Sequence, residues 1–138
     1  MKISEVMTRN VQTVEPDSSI RDVAGLMADI DSGALLVREG DRLIGVVTDR
    51  DIAIRATAAG LGSDTPVRQI MSGGIRYCFE DEEIEHVARN MADIQLRRLP
   101  VLNREKRLVG VVSLGNIAAG ANEWASATVL QGVSAAHH

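Results

Sequence analysis

The sequence predicts a mixed α/β (α+β) fold made of two β-α-β-β-α units related by a pseudo-twofold axis. Three observations predict it. The chain repeats itself at a spacing of 64 residues, each copy carries an apolar stripe at helical spacing, and each stripe is followed by two short apolar runs around a polar turn.

The repeat is read residue by residue. Displaced by 64 positions, Met7 falls on Met71, Asp17 on Asp81, Ile20 on Ile84, Val23 on Val87 and Ala24 on Ala88. Met27-Ala28-Asp29-Ile30 falls on Met91-Ala92-Asp93-Ile94, Leu35 on Leu99 and Val37 on Val101. One extra residue then enters the second copy. At a displacement of 65, Arg42-Leu43 meets Arg107-Leu108, Gly45-Val46-Val47 meets Gly110-Val111-Val112, and Ile52-Ala53 meets Ile117-Ala118.

Each copy opens on an extended stretch, Val11 to Val14 or Ile75 to Phe79. The first helix follows, with Asp17 or Ser18 able to cap it in copy one. Its buried stripe is Ile20, Val23, Ala24, Met27 and Ile30, matched by Ile84, Val87, Ala88, Met91 and Ile94. A hairpin comes next: Ala34 to Val37 and Leu43 to Val47, or Leu99 to Leu102 and Leu108 to Val112. A second helix begins near Asp49 or Leu114, and Gly60 is placed to stop the first of these. A small sheet with helices on one face leaves its other face bare, so the two copies are expected to pack on each other. The expected organisation is repeat one at 1–60, a Gly/Ser/Asp/Pro linker at 61–67, repeat two at 68–121 and a helical tail at 122–138. Trp124 and Leu130 on that tail are candidates for a dimer contact.

Composition narrows the function. A chain of 138 residues with 45% hydrophobic and 25% charged residues is an ordinary globular domain with a real core. The net charge of -4 argues against nucleic acid, whose phosphates require a basic surface. Only Tyr77, Phe79 and Trp124 are able to stack on a base. Arg104 to Arg107 is interrupted by Glu105 and suits a hairpin turn better than a phosphate backbone. No apolar run reaches the roughly 18 to 20 residues of a membrane span, and Met1 to Glu5 has no signal-peptide character. The single Cys78 closes no internal disulfide, which suits a cytoplasmic location. It lies in an apolar strand and reads as a buried inert thiol. Three scattered His, His86 solvated and His137 and His138 at the end, give no metal-ligand spacing. Glu80-Asp81-Glu82-Glu83 opens a helix, where negative charge suits the dipole.

The ordered motifs carry a resemblance. Gly45-Val46-Val47-Thr48-Asp49-Arg50-Asp51-Ile52 is echoed by Gly110-Val111-Val112-Ser113-Leu114-Gly115-Asn116-Ile117. Val6-Met7-Thr8 and Ile70-Met71-Ser72 open the two copies, and Arg98-Leu99-Pro100-Val101 sits before the second hairpin turn. With these motifs in order, the chain resembles a tandem pair of CBS domains, a Bateman module, over nearly all of residues 1–121. The resemblance implies a stand-alone, non-catalytic regulatory module. Its ligand would be an adenosine-containing molecule (AMP, ADP, ATP or S-adenosylmethionine) bound in the cleft between the repeats. It also implies a homodimer, with a further protein partner to read the signal. A structural module with vestigial clefts is the alternative.

Candidate site residues follow. Thr48 ends an apolar strand and opens a helix, a place where a hydroxyl and helical N–H groups suit phosphate. Asp51 is one turn on and is able to accept from two ribose hydroxyls; the family uses the matching residues in those roles. The bland alternative is that Thr48 and Asp49 simply cap the helix. Arg97 and Arg98 need anionic partners, either ligand phosphates or carboxylates such as Asp49 and Asp93. Copy one has Ser32 and Gly33 at that place. The resemblance then assembles site one from Val46, Thr48, Asp51, Ile75, Arg76, Tyr77, Arg97 and Arg98. Site two takes Thr8, Val11, Gln12, Gly33, Ala34, Val111, Ser113 and Asn116, and its amide in place of a carboxylate predicts weaker binding. An adenine ring would lie between Val11, Ile75, Val46 and Val111. No nucleophile set, Walker loop or Mg²⁺-binding carboxylate cluster is visible.

Overall fold

A computed structural model describes residues 1–93 and 97–121. The expected tail helix with Trp124 and Leu130, and the stripe residue Ile94, lie outside the described residues. The chain forms two compact units: Gln12–Ile75, and Met1–Val11 together with the chain from Arg76 on.

In the Gln12–Ile75 unit, β1 (Thr13–Val14) runs parallel to β2 (Ala34–Glu39), and β2 pairs antiparallel with β3 (Arg42–Thr48). The parallel step requires a crossover, which α1 (Ile20–Ile30) supplies. Strand alternation sends Leu35, Val37 and Val47 to one face, where they meet Val23 and Met27 of α1. Ile30, the last member of the expected stripe, is exposed instead, because it sits at the helix end beyond the sheet-facing turns. The cap also differs from expectation. Ser19 is the N-cap, its Oγ accepting from the Asp22 N–H at 3.1 Å. Ser18 Oγ accepts from the Glu15 N–H at 3.2 Å, and Asp17 pairs with Arg68, so neither is free for the cap. After β3, one α-helical turn, α2 (Asp49–Asp51), widens into a π-helical stretch, Ile52–Thr57.

The other unit repeats this plan. β4 (Cys78–Phe79) runs parallel to β5 (Arg98–Leu102), and β5 pairs antiparallel with β6 (Leu108–Ser113). α3 (Ile84–Asp93) covers the sheet through Ile84, Val87 and Met91. Residues 114–121 are helical, with Ile117 in the core. The hairpin turn spans Asn103 to Arg107, and Lys106 takes the left-handed conformation at φ 63°.

Each unit is closed by a segment outside its sheet and its first helix, residues 63–72 of the continuous unit and residues 1–8 of the other. In one, Val67 and Ile70 enter the core, the Ile20 N–H donates to Thr65 O (3.0 Å), and Val46 and Ser72 exchange hydrogen bonds of 3.0 and 2.9 Å. In the other, Ile3 and Met7 enter the core, the Ile84 N–H donates to Met1 O (3.0 Å), and Thr8 and Val111 exchange bonds of 2.8 and 2.9 Å. The stretch read as a linker therefore packs along the start of α1, where Arg21 N–H donates to Ser63 O at 3.0 Å.

Candidate functional site

The candidate residues gather at the junction between each hairpin and the helix after it. In the Gln12–Ile75 unit, the strand β3 ends at Thr48 because its side chain can bond the next turn of backbone. Thr48 Oγ1 accepts from the Asp51 N–H at 3.1 Å, and the Thr48 N–H donates to Asp51 Oδ2 at 2.9 Å. This reciprocal box uses Asp51, not the Asp49 of the bland alternative. Asp49 Oδ1 accepts instead from the Arg50 N–H at 2.8 Å. The Asp51 side chain is 15% exposed, and its Oδ1 has the Arg55 Nε beside it at 3.7 Å. Arg55 was not singled out in the sequence; the signal for it was its place one turn after Asp51, on the same helical face.

Ala34 lies directly opposite Thr48, and Gly33 O accepts from the Asp49 N–H at 2.9 Å. A Cβ on Gly33 would sit 2.9 Å from Asp49 Oδ2, so glycine lets the carboxylate approach the strand. Val46 is half-buried in the bond to Ser72, Gln12 is exposed, and Ile75 is half-buried at the end of the unit.

In the other unit the same junction is built from different residues. Ser113 Oγ accepts from the Asn116 N–H at 3.0 Å, and the Ser113 N–H donates to Asn116 Oδ1 at 3.0 Å. Arg98 lies directly opposite Ser113, and Arg97 O accepts from the Leu114 N–H at 3.0 Å. The register therefore corrects the pairing of the two copies here. Arg97 and Arg98 correspond to Gly33 and Ala34, one position later than Ser32 and Gly33. Both arginines are exposed, and within their own unit neither forms an ion pair among the described residues. Thr8 is held against Val111, Val11 is half-buried and Arg76 is exposed. Tyr77 is exposed and meets the Phe79 ring edge-on at 5.6 Å, while the Arg104 guanidinium stacks over Phe79 at 4.1 Å. Thus Thr48, Asp51, Gly33, Ala34, Val46, Gln12 and Ile75 belong to one unit. Arg97, Arg98, Ser113, Asn116, Thr8, Val11, Val111, Arg76 and Tyr77 belong to the other.

Electrostatics elsewhere is local. Asp81 is held below the usual carboxylate range by two hydrogen bonds from Arg104, at 2.9 and 2.7 Å. Among the described residues no group of His, Cys, Asp and Glu is arranged to hold a metal ion, and no helix is long and apolar enough to cross a membrane.

Comparison with known proteins matches the CBS domain model twice, at residues 3–56 and 67–121. The chain belongs to the CBS domain family. CBS domain-containing protein YhcV of Bacillus subtilis is 40% identical over 116 residues, which cover 84% of this chain and 82% of YhcV. The crystal structure of Hypoxic Response Protein I, solved with two coordinated zinc ions, is 33% identical with a TM-score of 0.74, covering 86% of this chain and 98% of that one. CBSX2, solved with AMP, shares the fold at 24% identity and a TM-score of 0.75, covering 88% and 96%. CBS domain pairs are regulatory modules, and the two repeats found here are such a pair.

Proposed function

We propose that this chain is a non-catalytic regulatory module that binds an adenosine-containing ligand, AMP being the first to test. The observation that carries the reading is the Asp51 carboxylate. Its Oδ2 is committed to the Thr48 N–H, and among the described residues its Oδ1 has the Arg55 guanidinium beside it, at 3.7 Å. A fixed carboxylate whose second oxygen meets its neighbour only at ion-pair distance is a suitable acceptor for the hydroxyls of a ribose. Thr48 and the exposed Arg97 and Arg98 suit the phosphate, and Val46, Ile75, Val11 and Val111 suit an adenine ring. AMP in the related fold of CBSX2 supports the ligand class. ATP, ADP and S-adenosylmethionine belong to the same class.

Regulation requires that the ligand prefer one arrangement of the protein over another. A cytoplasmic homodimer read by a partner protein is the setting proposed for it. Calorimetric titration with AMP, ADP, ATP and S-adenosylmethionine tests the proposal. Wild-type protein is expected to release binding heat with at least one, and Asp51→Ala or Arg98→Ala to weaken it at least tenfold. Silence across the whole panel would sink it. A purely structural assembly module is favoured by one observation, the exposed Ile54 and Leu114 at 50% and 40%. A stable dimer in sedimentation, with no heat from any ligand, would select that reading.

A further inference from the structure

We infer that Met71 is a modification site whose oxidation to the sulfoxide by hydrogen peroxide frees the closing segment, residues 67–72, from β3. The inference does not depend on the ligand reading above. Met71 lies in the segment that closes the Gln12–Ile75 unit, and its neighbour Ser72 exchanges two hydrogen bonds with Val46, of 3.0 and 2.9 Å. Its sulfur is seated on a glycine. A Cβ on Gly45 would lie 2.7 Å from Met71 Sδ, so the thioether fills the space that a side chain there would need. Met7 is seated on Gly110 in the same way in the other unit, at 2.8 Å. Exposure separates the two. Met7, Met27 and Met91 are buried, at 9%, 7% and 0%, whereas Met71 is half-buried at the margin of its core cluster. Met1, also half-buried, belongs to the other unit. Met71 is thus the methionine of the Gln12–Ile75 unit that a small oxidant reaches.

The step consumes one hydrogen peroxide. A lone pair on Sδ takes one peroxide oxygen, the O–O bond breaks, and the second oxygen leaves with both protons as water. Sulfur loses the two electrons that peroxide gains. The product carries a polar acceptor where an apolar sulfur sat. A buried acceptor requires a donor. The donors of the segment are engaged: the Met71 N–H donates to Val67 O at 3.0 Å, the Ser72 N–H to Val46 O at 2.9 Å, and the Val46 N–H to Ser72 O at 3.0 Å. The backbone oxygen of Ser72, also beside the seat, only accepts. The sulfoxide therefore turns out to water. It leaves an empty seat over Gly45, which has no Cβ to fill it, and water then competes for the Val46–Ser72 bonds.

The test exposes the full chain to hydrogen peroxide without denaturant and follows each methionine by peptide mass spectrometry. Met71 is expected to gain its oxygen about tenfold faster than Met7, Met27 or Met91. Amide hydrogen exchange then reads the consequence. The Ser72 and Val46 amides are expected to exchange about tenfold faster once Met71 is oxidised, and to regain protection when methionine sulfoxide reductases restore the thioether. Met71→Leu keeps an apolar side chain of similar size without sulfur, so its two amides are expected to be unmoved by the same treatment. The wild-type comparison decides the matter even where that variant folds poorly. Oxidation of Met71 no faster than that of Met27 would overturn the inference. So would a Met71 sulfoxide that leaves both amides protected, or peroxide-induced loosening that persists in a folded Met71→Leu protein.

Discussion

Cys78 shows what one position in a repeat dictates. It falls on Val14 at the 64-residue displacement, and both side chains are buried in the short strand that runs parallel to the next. The thiol is packing, and its Sγ lies 3.8 Å from Pro100 O. Burial, with a smaller push from the Glu82 carboxylate, raises its pKa from 9.0 to about 12. The unfolded chain then gives up this proton near pH 9 and the folded chain near pH 12. Stability from this group is complete below pH 9 and falls as pH rises toward 12. The slope is at most about 1.4 kcal/mol per pH unit. Urea melts at pH 8 to 11 are expected to show it in wild type and to lose it in Cys78→Val; parallel slopes would refute the assignment. Asp31 is a second case. It ends α1 at φ 52°, with Ser32 N–H reaching back to Met27 O at 3.0 Å. This left-handed cap position tolerates Asn well, and Asp places a negative charge at the negative end of the helix. Asp31→Asn is expected to stabilise by about 0.3–1 kcal/mol in low salt and by less in high salt, as read by thermal melts at both. The cap at the other end of α1 shows why residue detail escapes the sequence. Asp17, Ser18 and Ser19 all have capping side chains, and only the tertiary partners of the first two, Arg68 and the Glu15 N–H, leave the role to Ser19.

Among the elements, the period-two and helical patterns located the hairpins and first helices, because alternation and stripe reflect burial directly. Two features had no such signature. One is the π-helical stretch after Asp51, where Ala58 N–H reaches Ala53 O and Leu61 N–H reaches Ala56 O, each at about five residues' separation. The matching residues 114–121 are α-helical, so the apolar spacing alone does not set the winding. The other is the closing segment beside β3 and β6. Gly45 and Gly110 make room for it. A Cβ on Gly110 would lie 2.7 Å from the backbone oxygen of Thr8 and 2.8 Å from Met7 Sδ. On Gly45 it would lie 2.7 Å from Met71 Sδ and 3.1 Å from Ser72 O. A thioether can swing aside, but a backbone carbonyl bonded to Val111 cannot without loosening the segment. Gly110→Ala is therefore expected to cost about 1–3 kcal/mol, and Gly45→Ala less. Chemical denaturation of the two variants checks the order, and a reversed order would mean that the Met1–Val11 segment yields more easily than its packing implies.

At the scale of the whole molecule, the sequence reveals the period of the repeat but not its phase. A tandem repeat has no intrinsic start; a displacement of 64 is equally true of units beginning at residue 1 or at residue 12. Phase is set by which opening segment closes which sheet, and that depends on three-dimensional closure. The Gln12–Ile75 unit takes the opening segment that lies after its helices, so a continuous stretch holds all ten residues of its core cluster. A fragment cut at 1–60 would lack Val67 and Ile70, which are 0% and 1% exposed. It would also lose the Thr65, Ser63 and Ser72 bonds to Ile20, Arg21 and Val46. Burial of an aliphatic side chain contributes about 1.5–3 kcal/mol, so the two together approach the roughly 5–15 kcal/mol by which a small domain is stable at all. The fragment 12–75 is expected to melt cooperatively and to give a dispersed amide spectrum, while 1–60 remains unfolded under the same conditions. A folded 1–60 beside an unfolded 12–75 would show that the opening segments are ornaments on the repeats. The predicted outcome makes them the element that decides where one unit ends and the next begins.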